Sequence, residues 1–171
     1  MDDETPLFGI VFVDTATGAF SLTEFQDDVE LTKFETFVAQ IRPKELILEK
    51  VCTYCFLISG LFSPYQGCIS KRAVRILKNN TALTTIWNKL TPGKEFWDAT
   101  TTIRELNSQG YFRSDGLDGS ESWPEALQSV KSRELVMSSL GALLCYLQTV
   151  RLSTSLLCAA LVQLLIAQNR S

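Results

Sequence analysis

The run Leu-Phe-Gly-Ile-Val-Phe-Val-Asp-Thr, residues 7 to 15, constrains the fold more than any other stretch of this chain. It is nearly continuous in apolar and β-branched residues, the pattern of a strand buried on both faces. Ala16-Thr17-Gly18 then supplies a turn, and Ala19 to Phe25 alternates apolar and polar like a half-buried partner strand. A hairpin therefore opens the fold. A helix follows, with Val29, Phe34, Phe37, Val38 and Ile41 near helical spacing, Asp27 and Asp28 at its positive end, and Pro43 stopping it. Lys44 to Lys50 reads as a short buried strand, giving the order β-β-α-β.

Beyond residue 66, Ser70 is placed to cap a helix over Lys71 to Asn80, with Val74 and Leu77 facing inward. Lys71, Arg75 and Lys78 share the other side; such a stripe suits either solvent or phosphate, and a solvated face is the expectation. Ala82 to Leu90 returns as a strand. Asp98 is a cap for a helix packing Ile103 and Leu106 and ending at Gly110. Residues 113 to 124 have the Gly, Asp and Ser content of a surface loop, with Pro124 suited to a first helical position. Residues 124 to 148 read as one or two increasingly apolar helices. The expected fold class is α/β, an RNase H-like mixed central sheet flanked by helices.

A chain of 171 residues suits one domain and can bury roughly 70% of its unfolded surface. Its formal charge of -3 and pI near 5.0 provide no overall electrostatic footprint for gripping nucleic acid alone. The absence of histidine removes Ser/His and Cys/His catalysis and His metal ligation. Five cysteines, an odd number, and a start without a basic and apolar leader favour a reducing compartment. The longest apolar runs, 56 to 62 and 156 to 165, fall short of the ~20 residues that span a bilayer, so no membrane association is expected.

An RNase H-like fold invites a metal-dependent nuclease reading, in which carboxylates on and beside the sheet hold two ions. Asp14, ending the first strand, stands in the right kind of place, with Glu24 and Glu49 as partners whose spacing selects nothing. Asp14 to Gly18 is equally a good Asx turn, with the carboxylate accepting from backbone N–H groups. Cys52, Cys55 and Cys68 offer three thiolates without the fourth ligand of a structural zinc site, and the Cys-x-x-Cys lacks a redox context. No phosphate loop or Gly-x-Gly-x-x-Gly occurs, and residues 115 to 120 lack the acidic spacing of an EF-hand. The expectation is a non-enzymatic chain with no catalytic, cofactor or metal site.

Several strings in this order, FGIVFVDTATGAF, ELILEK, SKRAVRILK, PGKEFWDATTTIRELNSQGYF and LVMSSLGALLCYLQ, resemble the connector domain, the second domain, of the MutS mismatch-recognition family, most closely its eukaryotic sixth-homologue branch. FWDA followed by a helix ending in Tyr-Phe is the most specific of them. The resemblance covers about residues 7 to 149 and implies an RNase H-like connector joining a mismatch-binding domain to lever and ATPase domains. It further implies mismatch repair in the nucleus. The implied partners are a second MutS homologue subunit, MutL-type proteins, and DNA held through domains outside these residues. ATP and magnesium belong to the full-length family. Neither the family's Phe-x-Glu mismatch-reading motif nor its phosphate loop lies in this chain.

The resemblance is interrupted once and then stops. In the family, the strand matching ELILEK passes through a Gly into a Ser-Lys helix start; omitting Val51 to Gln66 restores that junction, with Gly67 allowing the turn and Ser70 the cap. Likeness ends again at Thr149. Both breaks begin at a valine, whose codons start GT; Val51-Cys52 and Val150-Arg151 are each encodable as donor splice sites, and Tyr65-Gln66 as an acceptor. The domain reading is therefore a disordered start over 1–6, a connector over 7–149 interrupted by 51–66, and an apolar tail over 150–171, the last two as translated introns. A lineage-specific loop is the alternative for 51–66. Two other functions stay open: an RNase H-like nuclease, and a small interaction adaptor with an apolar C-terminal helix.

Overall fold

In the computed structural model the described residues are 5–50, 69–91, 93–108 and 123–149. The segments 51–66 and 150–171, the loop over 113–122, Gly67 and Gly110 lie outside them. The architecture is α/β, and the chain divides into two compact units, Met1–Leu7 with Phe25–Glu95 and Phe8–Glu24 with Phe96–Ser171.

The opening hairpin consists of β1, Leu7–Asp14, paired to β2, Ala19–Gln26. A connection this short permits only antiparallel pairing. Both strands are half-buried along most of their length. The buried-on-both-faces expectation for β1 does not hold, because none of its residues is fully buried and both of its ends are exposed. Nor do the described strands form one central sheet: β3, Glu45–Glu49, pairs with β4, Ile86–Leu90, as a separate parallel pair. Glu45 stands opposite Ile86 and Glu49 opposite Leu90. Parallel strands need a long crossover, and the helix between them belongs to it.

In the first unit, α1 covers Thr32–Ile41 and buries Phe34 and Val38. Val29 precedes this helix and is 56% exposed, contrary to its place in the expected apolar stripe. The cause lies at the helix start. Leu31 adopts a left-handed conformation (φ 62) and turns its own side chain inward, while Asp27 caps the helix from within the core. The crossover helix α2, Lys71–Asn80, packs against α1 and buries Ala73, Ile76 and Leu77. Val74 is only half-buried. Ser70 caps α2 as its position predicted, its hydroxyl accepting from Ala73 N–H at 3.1 Å. The Thr81 hydroxyl donates to Leu77 O at 2.7 Å and closes the far end.

Arg42 ends α1 in a left-handed conformation (φ 48), with its N–H donating to Val38 O at 3.0 Å. Glycine is the usual occupant of that position, since the left-handed region costs other L-residues roughly 1–2 kcal/mol. Arg42→Gly is expected to raise unfolding stability by about 0.5–1 kcal/mol, part of the gain being offset by glycine's freedom in the unfolded chain. An unchanged or lower urea midpoint would contradict this.

The second unit is mainly helical: α3, Ala99–Ser108, α4, Glu125–Val130, and α5, Glu134–Thr149. Asp98 caps α3 as expected, its carboxylate accepting from Thr101 N–H at 2.7 Å. Pro124 stands immediately before α4 rather than inside its first turn, a one-residue difference within ordinary boundary scatter. Leu106, Leu127, Val136, Met137 and Leu140 form the most deeply buried apolar group. Two glycines set how closely elements approach. A Cβ on Gly9 of β1 would lie 2.5 Å from Leu135 Cβ on α5, and Ser139 Oγ donates to Gly9 O at 2.8 Å. A Cβ on Gly141 would collide with Thr102 Oγ1 of α3 and lie 2.8 Å from Trp97 O. Trp123 ties α3 to α4, donating from Nε1 to Asn107 Oδ1 at 2.7 Å beneath the Lys131 ammonium, 4.5 Å from the ring centroid.

Candidate functional site

Asp14 is occupied by its own turn. Thr17 Oγ1 donates to one carboxylate oxygen at 2.8 Å and Ala16 N–H to the other at 3.0 Å, while Gly18 N–H donates to Asp14 O at 2.7 Å. Gly18, at φ 72, supplies the left-handed residue that completes the turn. The Thr17 hydroxyl, then the Ala16 N–H, hold the Asp14 carboxyl below the usual range. This is the Asx turn that residues 14 to 18 predicted.

Glu24, on β2, faces Arg133 across 3.9 Å, a partly exposed pair worth at most about 1 kcal/mol. Glu49, at the end of β3, belongs to the other unit, where burial pushes its carboxyl above the usual range. Among the described residues, no three Asp, Glu or Cys side chains gather where they could hold a metal ion. Cys52, Cys55, Cys68 and Cys158 lie outside the described residues. Cys145, half-buried on α5, has its thiol pushed up by burial, the reverse of an activated nucleophile. No helix among the described residues is long and apolar enough to cross a membrane.

The carboxylates divide into two kinds with opposite pH behaviour. Asp14, Asp28, Asp98 and Glu95 accept hydrogen bonds and are held low. What they contribute is present above their unfolded values, about 4, and is lost as pH falls through the folded ones. Glu49 is held high by burial, so its contribution is present below the unfolded value and lost as pH rises. Glu49→Gln is accordingly expected to raise the urea midpoint at pH 7, with the advantage shrinking below about pH 4. A midpoint difference that does not vary with pH would refute this assignment.

The most concentrated charge is on α2. Lys71, Arg72, Arg75 and Lys78 are all exposed, and the helix contains no acidic residue. Arg72 forms an ion pair with Glu30. Lys71, Arg75 and Lys78 fall within about 60° of the helix circumference at 100° per residue, diametrically opposite the buried Ala73, Ile76 and Leu77. The stripe read from the sequence therefore exists and faces outward.

Sequence reasoning missed Asp27 as a buried acceptor and did not single out Gly9, Gly141 or Arg42. A glycine inside an apolar strand or helix was the available signal for two of them. The left-handed Arg42 had no sequence signal.

Comparison with known proteins agrees with the sequence strings. The family described as MutS domain II matches residues 1–157. The DNA mismatch repair protein MSH6 of Saccharomyces cerevisiae is 34% identical over 155 residues, covering 90% of this chain and 11% of that protein. Msh6 of Homo sapiens is 31% identical over 169 residues, covering 91% and 11%. MSH6 of Arabidopsis thaliana is 30% identical over 167 residues, covering 88% and 11%. The chain thus spans about a ninth of the length of these relatives. With the match extending over most of its residues, this chain belongs to the MutS domain II family.

Proposed function

We propose that this chain is the connector domain of a MutS-type DNA mismatch repair protein, a non-catalytic element acting in the nucleus between domains that bind mismatched DNA and hydrolyse ATP. The family match over residues 1–157, with relatives named DNA mismatch repair proteins, carries this reading. The involvement of Asp14 in its turn supports a non-catalytic role, as does the pairing of Glu24 with Arg133. An RNase H-like arrangement accords with an antiparallel hairpin followed by a helix and a parallel β-α-β crossover. Partners in this reading are a second MutS homologue subunit and MutL-type proteins, with DNA held largely elsewhere in the whole protein.

Residues 51–66 and 150–171 are, on the same reading, foreign to the domain. One experiment addresses both points: residues 5–149, with and without 51–66, replace the matching segment of Saccharomyces cerevisiae MSH6, and the mutation rate is measured. Suppression of mutation to within a few-fold of the intact protein by the shorter graft is expected, with poorer suppression by the longer one. A mutation rate equal to that of a deletion with both grafts would reject the connector reading. Equal suppression by both would reject the foreign origin of 51–66, as would mature transcripts that mostly retain its codons. Magnesium-dependent cleavage of nucleic acid by the chain, lost in Asp14→Asn, would replace the non-catalytic reading by a nuclease.

A further inference from the structure

Two of the four cations of α2 are placed against the helix's own electrostatics. Lys71 and Arg72 occupy the first turn, where the helix dipole favours anions, and no acidic residue is there to offset them. On a chain of net charge -3, a helix carrying four cations and no carboxylate is a local inversion of charge. Glu30 answers Arg72, and Glu35, the carboxylate on the facing helix, accepts from Asn80 Nδ2 at 3.3 Å. Lys71, Arg75 and Lys78 are left facing solvent, on the side opposite the core.

From this we infer that the outward face of α2 is a contact surface for the phosphate backbone of duplex DNA, made by Lys71, Arg75 and Lys78. The inference rests on the mismatch-repair reading for its choice of polyanion. Seven residues of helix rise span about 10 Å. Along one strand of a duplex, phosphates recur every ~3.4 Å of axis, so the stripe covers about three of them. The exposed face offers no aromatic or large apolar side chain as an anchor, so only a polyanion suits it, and a phosphate backbone is one that needs no such anchor. A contact made to phosphates carries no sequence information, so it is sequence-independent and strongly dependent on salt.

The test is fluorescence anisotropy of a labelled duplex with the full 171-residue chain across a series of low salt concentrations. The triple variant K71Q/R75Q/K78Q is compared with K44Q/K89Q/K94Q, which removes the same charge from other exposed positions of the same unit. For three phosphate contacts the wild-type slope of log K against log salt should be about -2.7. The α2 variant should lose at least about tenfold in affinity at the lowest salt and most of that slope. The control variant should retain both. R75E alone, at one fully outward position, should give the same direction if the triple variant is unstable. Equal losses in the two triple variants would overturn the inference, as would no duplex binding by the wild type. Poly-glutamate binding as tightly as the duplex would assign the face to an acidic protein instead. Failure here with a successful graft would reject the DNA contact alone; a failed graft would reject the connector reading.

Discussion

Gly141→Ala is expected to destabilise the helical unit by about 1–3 kcal/mol, although alanine is the better helix former by ~1 kcal/mol. The added Cβ has nowhere to go: it would overlap Thr102 Oγ1 and lie 2.8 Å from Trp97 O. Thr102 is fully buried, and its hydroxyl donates to Asp98 O at 2.7 Å, so it cannot rotate away without losing that bond. The carbonyl of Trp97 is backbone and moves only if α3 moves. Valine at 141 should cost more than alanine. Urea unfolding of Gly141→Ala, Thr102→Ala and the double variant would apportion the effect. The double variant should cost less than the sum of the two, because removing Oγ1 relieves one of the two collisions. Strict additivity, or a stabilised Gly141→Ala, would show that the two helices do not meet as described.

Asp27→Ala is expected to cost on the order of 2–4 kcal/mol, more than a helix cap normally contributes. The residue is 3% exposed, and its carboxylate accepts from Asp28 N–H at 2.8 Å, Lys33 N–H at 3.1 Å and Phe34 N–H at 2.8 Å. Truncation leaves these donors without their acceptor in a largely dry site. Asp27→Asn should cost less, since the amide oxygen keeps one acceptor. Its neighbour provides the internal control. Asp28 accepts from Thr32 N–H at 3.1 Å at an exposed position, where water can replace it, so Asp28→Ala should cost no more than about 1 kcal/mol. Hydrogen exchange of the Phe34 amide, combined with urea midpoints, checks the contrast. Similar losses at both positions would mean that burial of Asp27 does not decide its role.

Most of the secondary structure was legible because it is written in local periodicity and local chemistry. Alternation in residues 19 to 25 and apolar continuity in 45 to 49 correspond to β2 and β3. Ser70, Asp98 and the turn at Asp14 are short-range hydrogen-bond devices, and each is made as its spacing predicts. The outward basic stripe of α2 is equally a matter of helical spacing. Misreadings arose where a long-range contact outweighed the local pattern. Val29 fits an apolar stripe, yet Leu31 turns inward instead, and the helix begins at Thr32. Thr102, to which the sequence assigned no role, is buried where Gly141 approaches it, its hydroxyl satisfied by Asp98 O.

The candidate carboxylates show the same division. Sequence could bring Asp14, Glu24 and Glu49 under suspicion but had no means of weighing them against one another. The structure gives Asp14 to a turn and Glu24 to Arg133, and it leaves Glu49 half-buried with a raised pKa. Which glycines are indispensable was likewise decided in three dimensions. Residue 9 meets residues 135 and 139, and residue 102 meets residue 141, at separations that no local pattern encodes. What the amino-acid sequence determined by itself is the order of strands and helices, most of their caps, and membership of the MutS domain II family. Tertiary structure alone decided which polar groups are buried and which backbones come within touching distance, because desolvation and close packing depend on residues that the fold, not the chain, makes neighbours.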